Sequence, residues 1–143
     1  AEGVGEGEDE PSAARLLELR VSLHSNLSLA CLQSDDFVGA VASARAALDA
    51  VKAVGGNDAA LLLGFDPAPL CSKANVRRAK GFIGLGQYEK AKKSLSSASR
   101  LVKTLEAGPG ATALVKEIKA AKAALVSREK EENALYRRMF NGS

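Results

Sequence analysis

The residues best able to do chemistry in this sequence lie between Lys73 and Lys103. Nine bases fall there (Lys73, Arg77, Arg78, Lys80, Lys90, Lys92, Lys93, Arg100 and Lys103) against a single acid, Glu89. Such a run favours an acidic partner. Other chemistries have little material. His24 is the only histidine, and Cys31 and Cys71 have neither metal nor redox spacing, so both read as small core residues. Gly81, Gly84 and Gly86 follow no strand and do not form a phosphate loop. No catalytic residue, metal or cofactor is expected, and the chain reads as a non-enzyme. Aromatics are 4% of residues, too few to stack bases beside the basic run, so nucleic acid ranks low as a partner.

The elements that must position these groups are helices. The 143 residues are 46% apolar and 26% charged, with no Trp and four Pro. Ala and Leu dominate, Ala, Leu, Lys, Glu and Arg are good helix formers, and β-branched runs are missing. No apolar stretch reaches the ~20 residues of a membrane span, and the N-terminus lacks the pattern of a signal peptide. A reducing compartment is expected, the cytoplasm or the nucleus. Residues 1–11 carry five acids and no base and read as a disordered acidic leader; the formal net charge of the whole chain is +3.

Helical periodicity then predicts helices over about 12–33, 37–54, 70–85, 88–105 and 111–139. Ser12 and the Asp35-Asp36 pair are candidate N-caps. On the first helix, Leu16, Leu19, Leu23, Leu27, Ala30 and Cys31 form the expected core face. Gly55-Gly56-Asn57 ends the second helix and opens an insertion loop over about 55–69. Its apolar middle (Leu61, Leu62, Leu63 and Phe65) reads as a short helical turn laid on the core. Leu114, Ile118, Ala121 and Leu125, followed by Leu135 and Met139, mark the inner face of the last helix. Its basic second half, with Arg128, Lys130, Arg137 and Arg138, is expected to project.

Sliding the chain by about 51 residues superposes two helical pairs. Phe37 falls on Tyr88, Ala40 on Ala91, Ala47 on Ala98 and Val51 on Val102. Small residues recur where helices must approach closely, as in stacked helix–turn–helix units. The segment "NVRRAKGFIGLGQYEKAKKSLSSA" (75–98) resembles a tetratricopeptide repeat, with Ala79, Phe82, Tyr88, Ala91, Leu95 and Ala98 at its packing positions. "HSNLSLACLQSDDFVGAVASARAALDA" (24–50) is similar, through Ser28, Cys31, Ala40, Ala44 and Ala47. The tetratricopeptide unit is about 34 residues long, so roughly 17 are inserted near 53–69.

Together with the ending "ALYRRMF" (134–140), these segments resemble the last part of a large FKBP-type immunophilin co-chaperone. The resemblance covers about residues 13–141. It implies an all-α fold of tetratricopeptide-type hairpins, two of them recognisable, plus a long C-terminal helix that caps the stack over 12–143. No rotamase domain lies within the 143 residues, so no prolyl isomerase activity is expected of them, and a first repeat has no counterpart.

The resemblance also implies a site. In that family a two-carboxylate clamp grips the acidic C-terminal tail of heat-shock protein 90 or 70. Its motif maps onto Asn26, Lys73 and Arg77. Lys73 and Arg77 are i, i+4 and project from one helix face, and Asn26 holds the repeat position of Arg77 one hairpin earlier. Arg77 can meet a carboxylate with a bidentate fork. The clamp's Lys and Asn from a first repeat have no match. His24, Lys80 and Arg78 are secondary candidates, with Arg78 expected to point away from Arg77. The family further implies calmodulin binding at the C-terminal helix, where the residues alone read as a solvated end. The alternatives are a scaffold for another acidic peptide and self-association. Glu8-Asp9-Glu10 could mimic an acidic tail.

Overall fold

The computed structural model describes residues 12–142. The acidic leader, with Glu8-Asp9-Glu10, lies outside the described residues. Six α-helices occupy the rest: α1 (Ala13–Gln33), α2 (Phe37–Ala53), α3 (Asn57–Leu63), α4 (Ala68–Gly84), α5 (Tyr88–Val102) and α6 (Pro109–Phe140). Among the described residues there is no strand, and no helix is long and apolar enough to cross a membrane. The fold is all-α, built from helical hairpins and a long C-terminal helix.

Local chemistry sets the boundaries. The Ser12 hydroxyl accepts from the Arg15 N–H at 3.1 Å, and an Asp36 carboxylate oxygen accepts from Gly39 N–H at 2.9 Å, so both helices of the first hairpin open on a side-chain cap. α4 starts at Ala68, earlier than expected, because Asp66 accepts the Ala68 N–H at 3.0 Å and Pro69 fits a first helical turn. α6 likewise starts at Pro109 rather than 111, since a first turn does not use the N–H that proline lacks. α5 ends at Val102 rather than 105: Thr104 and Leu105 donate to the carbonyls of Leu101 and Val102, tightening the chain into short turns.

The hairpins α1–α2 and α4–α5 stack through α4, which packs on α1, α2, α5 and α6. α1, α4 and α6 lie in one layer, with α2 and α5 behind them. One core cluster joins Leu17 and Val21 to Ala47, Val51, Phe65, Cys71 and Ala74. The other joins Val76, Ala79 and Phe82 to Tyr88, Leu95, Leu114, Ile118 and Leu125. Alanines at 40, 47, 91 and 98 are all fully buried and allow close helix approach. Gly81 extends that logic: a Cβ there would sit 2.7 Å from Val41 Cγ2.

Three expectations about burial need correction. On α1 the buried residues are Leu17, Val21, Ser25 and Ser28, whereas Leu16, Leu19, Leu23 and Leu27 are exposed. Leucine falls on two stripes of this helix, and α2 and α4 cover the other one. In the insertion, residues 57–63 are helical, and Leu61, Leu62 and Leu63 face outward. Only Ala60 of that helix and Phe65 after it enter the core. On α6, Leu135 and Met139 are exposed. The start of its second half is held to α5: the Tyr88 hydroxyl donates to Glu132 at 2.8 Å, and Lys92 lies 3.4 Å from Glu129.

Candidate functional site

The sequence-derived site begins on α4. Arg77 crosses from α4 to α1, where its Nη1 donates to both the carbonyl oxygen and the hydroxyl of Ser25, each at 2.8 Å. Ser25 is buried and adjoins Asn26. The side chain of Arg77 is thus fixed at one end of its fork, while Nη2 and Nε have no partner among the described residues. Burial lowers its pKa, and the Glu117 carboxylate on α6 works against that drop. Arg77 stays charged at any physiological pH.

Lys73 lies one turn before Arg77 and is exposed. It lines a cleft of about 540 Å³ between the starts of α4 and α6, together with Asp66, Leu105, Glu106 and Leu114. Asn26 is exposed on α1. Neither side chain makes a hydrogen bond or ion pair with a described residue. The α1–α4 packing therefore anchors Arg77 on Ser25, the residue before Asn26, with Lys73 one turn earlier on α4. Lys80, partly buried, continues the row one turn beyond Arg77, and His24 is half-buried on α1. Two positive groups, one amide and the nearby carboxylates of Glu117, Asp66 and Glu106 make this a mixed surface, positive only locally.

Most of the expected basic run lies elsewhere. Arg78 turns away from Arg77 and lines a cleft with α2 and α5. Lys92, Lys93, Arg100 and Lys103 line the outer side of α5, with Lys122 of α6. Sequence reasoning also missed Ser25, the anchor of Arg77. Its signal was a serine at core spacing with Leu17 and Val21, which calls for a polar partner.

Cys71 sits beneath the other side of α4. Burial, and secondarily the Asp66 charge, push its thiol up to about 11, so it is neutral and unreactive near neutral pH. Among the described residues no group of three or more His, Cys, Asp or Glu could hold a metal ion. Comparison with protein families, characterised proteins and solved structures returned no match.

Proposed function

We propose that this chain is a protein-interaction module of the tetratricopeptide type, from a co-chaperone of the FKBP-immunophilin kind. On this reading it grips the acidic C-terminal tail of heat-shock protein 90 or 70 through Asn26, Lys73 and Arg77. The observation that carries the reading is the Arg77 tether. A guanidinium already ordered against Ser25, with nitrogens to spare, loses little freedom on meeting a carboxylate. Lys73, exposed one turn away, supplies a second charge for an Asp side chain or a terminal carboxylate.

The test is a calorimetric titration with a Met-Glu-Glu-Val-Asp peptide and its C-terminally amidated form. Amidation should weaken binding at least about tenfold, a loss of about 1.4 kcal/mol. Lys73→Ala should weaken it comparably, and because Lys73 is exposed this variant keeps the fold. Equal binding of the amidated peptide would overturn the clamp. A second reading, self-association, is favoured by the exposed row Leu16, Leu19, Leu23 and Leu27 on α1.

A further inference from the structure

The other side of α4 holds a separate collection of charge. Arg78 leaves the helix about 100° round from Arg77 and enters the cleft between α2 and α5, with α4 as its floor. Arg45 of α2 and Lys90 and Lys93 of α5 line the same cleft, and no acid does. Its volume is about 210 Å³. The bases are drawn together by one ring: the Arg78 guanidinium lies 5.4 Å from the centroid of Phe82 and the Lys90 ammonium 5.8 Å.

No acid lines this cluster or forms an ion pair within it. Neighbouring Lys92 is paired with Glu89 and Glu129, but Arg45, Lys90 and Lys93 form no ion pair with any described residue. Burial lowers the pKa of Arg78, the charge of Arg45 lowers it further, and Asp49 is the carboxylate that opposes them. The Arg78 Nε is buried with no hydrogen-bond partner, the one such side-chain atom among the described residues. A buried donor left unmet is costly and calls for an acceptor. Four cations and an unmet N–H around a small cleft suit a compact anion with several acceptor oxygens.

We propose that the α2–α4–α5 cleft binds a phosphate group. A phosphate monoester carries close to two negative charges and three acceptor oxygens near neutral pH. Arg78 would take two oxygens in a fork, and Lys90, Lys93 and Arg45 would neutralise the charge. The hydroxyl of Ser94, a residue that also lines the cleft, is a further donor. A carboxylate fits less well, because it leaves most of the positive charge unanswered. The site is independent of the Arg77 face and stands whether or not that face grips a tail.

The experiment is a calorimetric and thermal-shift titration of the full chain at constant ionic strength. Its arms are inorganic phosphate, O-phosphoserine and inositol trisphosphate, with chloride as the control anion. The phosphate ligands should bind saturably and raise the melting temperature above the chloride curve. Arg78→Gln should weaken binding at least about tenfold, and Lys93→Gln or Arg45→Gln several-fold. Those two lysine and arginine side chains are exposed, so their loss leaves the fold intact. Arg20→Gln, an exposed base on α1 outside both surfaces, should leave binding unchanged. The arm with the highest affinity identifies the source: free phosphate, a phosphorylated side chain or a lipid headgroup. A response equal to that of chloride, or equal losses in Arg20→Gln and Lys93→Gln, would show only diffuse screening and overturn the site.

Discussion

Arg77 and Arg78 are neighbours in sequence and opposites in structure. Arg77 faces the layer of α1 and α6 and donates twice to Ser25. Arg78 faces the cleft of α2 and α5, lies over Phe82 and keeps one buried nitrogen unmet. Burial is the first cause of the lowered pKa of both, but the secondary charge differs: Glu117 supports Arg77, whereas Arg45 repels Arg78. One arginine is therefore part of the scaffold as well as a candidate binding group. The other holds charge that the fold does not use. A helix placed at the centre of a stack can serve two surfaces at once, because successive residues point about 100° apart.

The largest expected effect distinguishing the two sides of α4 comes from alkali. Cys71 is buried beside α2, on the opposite side from Lys73. Its folded pKa lies above its ordinary 9.0, at about 11. Stability from the neutral thiol is therefore whole below about pH 9 and falls as pH rises toward about 11, because the unfolded chain loses that proton first. The rise converts to at most about 2.7 kcal/mol. Tyr88, raised chiefly by its hydrogen bond to Glu132, adds a loss of the same sign. Urea unfolding at a series of pH values should show Cys71→Ala losing less stability than wild type over this window. Parallel curves would refute burial of the thiol as the cause.

The next effect separates the arginines themselves. Arg77→Ala removes the tether and leaves the buried Ser25 hydroxyl without its partner, at a cost of about 1–3 kcal/mol. Arg78→Met keeps an unbranched stem against Phe82 while removing the unmet nitrogen and the repulsion from Arg45. Its stability should stay within about 1 kcal/mol of wild type, or rise, with the gain shrinking in high salt. Denaturant unfolding of both variants at low and high salt checks the contrast. An Arg78→Met loss as large as that of Arg77→Ala would erase it.

The two surfaces were unequally legible in the sequence. Lys73 and Arg77 are four residues apart on one helix, so their common face follows from periodicity alone. The stacked hairpins were legible for a similar reason: Ala40, Ala47, Ala91 and Ala98 recur at a fixed offset and are all fully buried. The cleft is assembled from residues 45, 78, 90 and 93, on three helices. No spacing marks such a set, because tertiary packing alone brings it together, and the run of bases from 73 to 103 concealed that it divides between faces. Ser25 and Ser28 were hidden differently. Both occupy core positions because each has a polar partner: Ser25 meets Arg77, and the Ser28 hydroxyl donates to the Ala40 carbonyl at 2.7 Å. The choice of a helix's inner stripe was made by those bonds as much as by hydrophobicity.

That choice leads to the smallest expected effect. If Leu17, Val21, Ser25 and Ser28 form the inner stripe of α1, then Leu23, 66% exposed, and Leu27, 50% exposed, contribute little to folding. Leu23→Ser with Leu27→Ser should change unfolding free energy by no more than about 0.5 kcal/mol for each substitution. Val21→Ala, on the inner stripe and with no exposure, should cost more than both together. The same double variant addresses self-association. If the leucine row pairs two chains, the wild type should show a mass that rises with concentration in sedimentation equilibrium, and the variant should stay monomeric. A monomeric wild type would remove self-association as a reading. A large loss of stability in the serine variant would instead put the leucine row in the core and reverse the assignment of the two stripes.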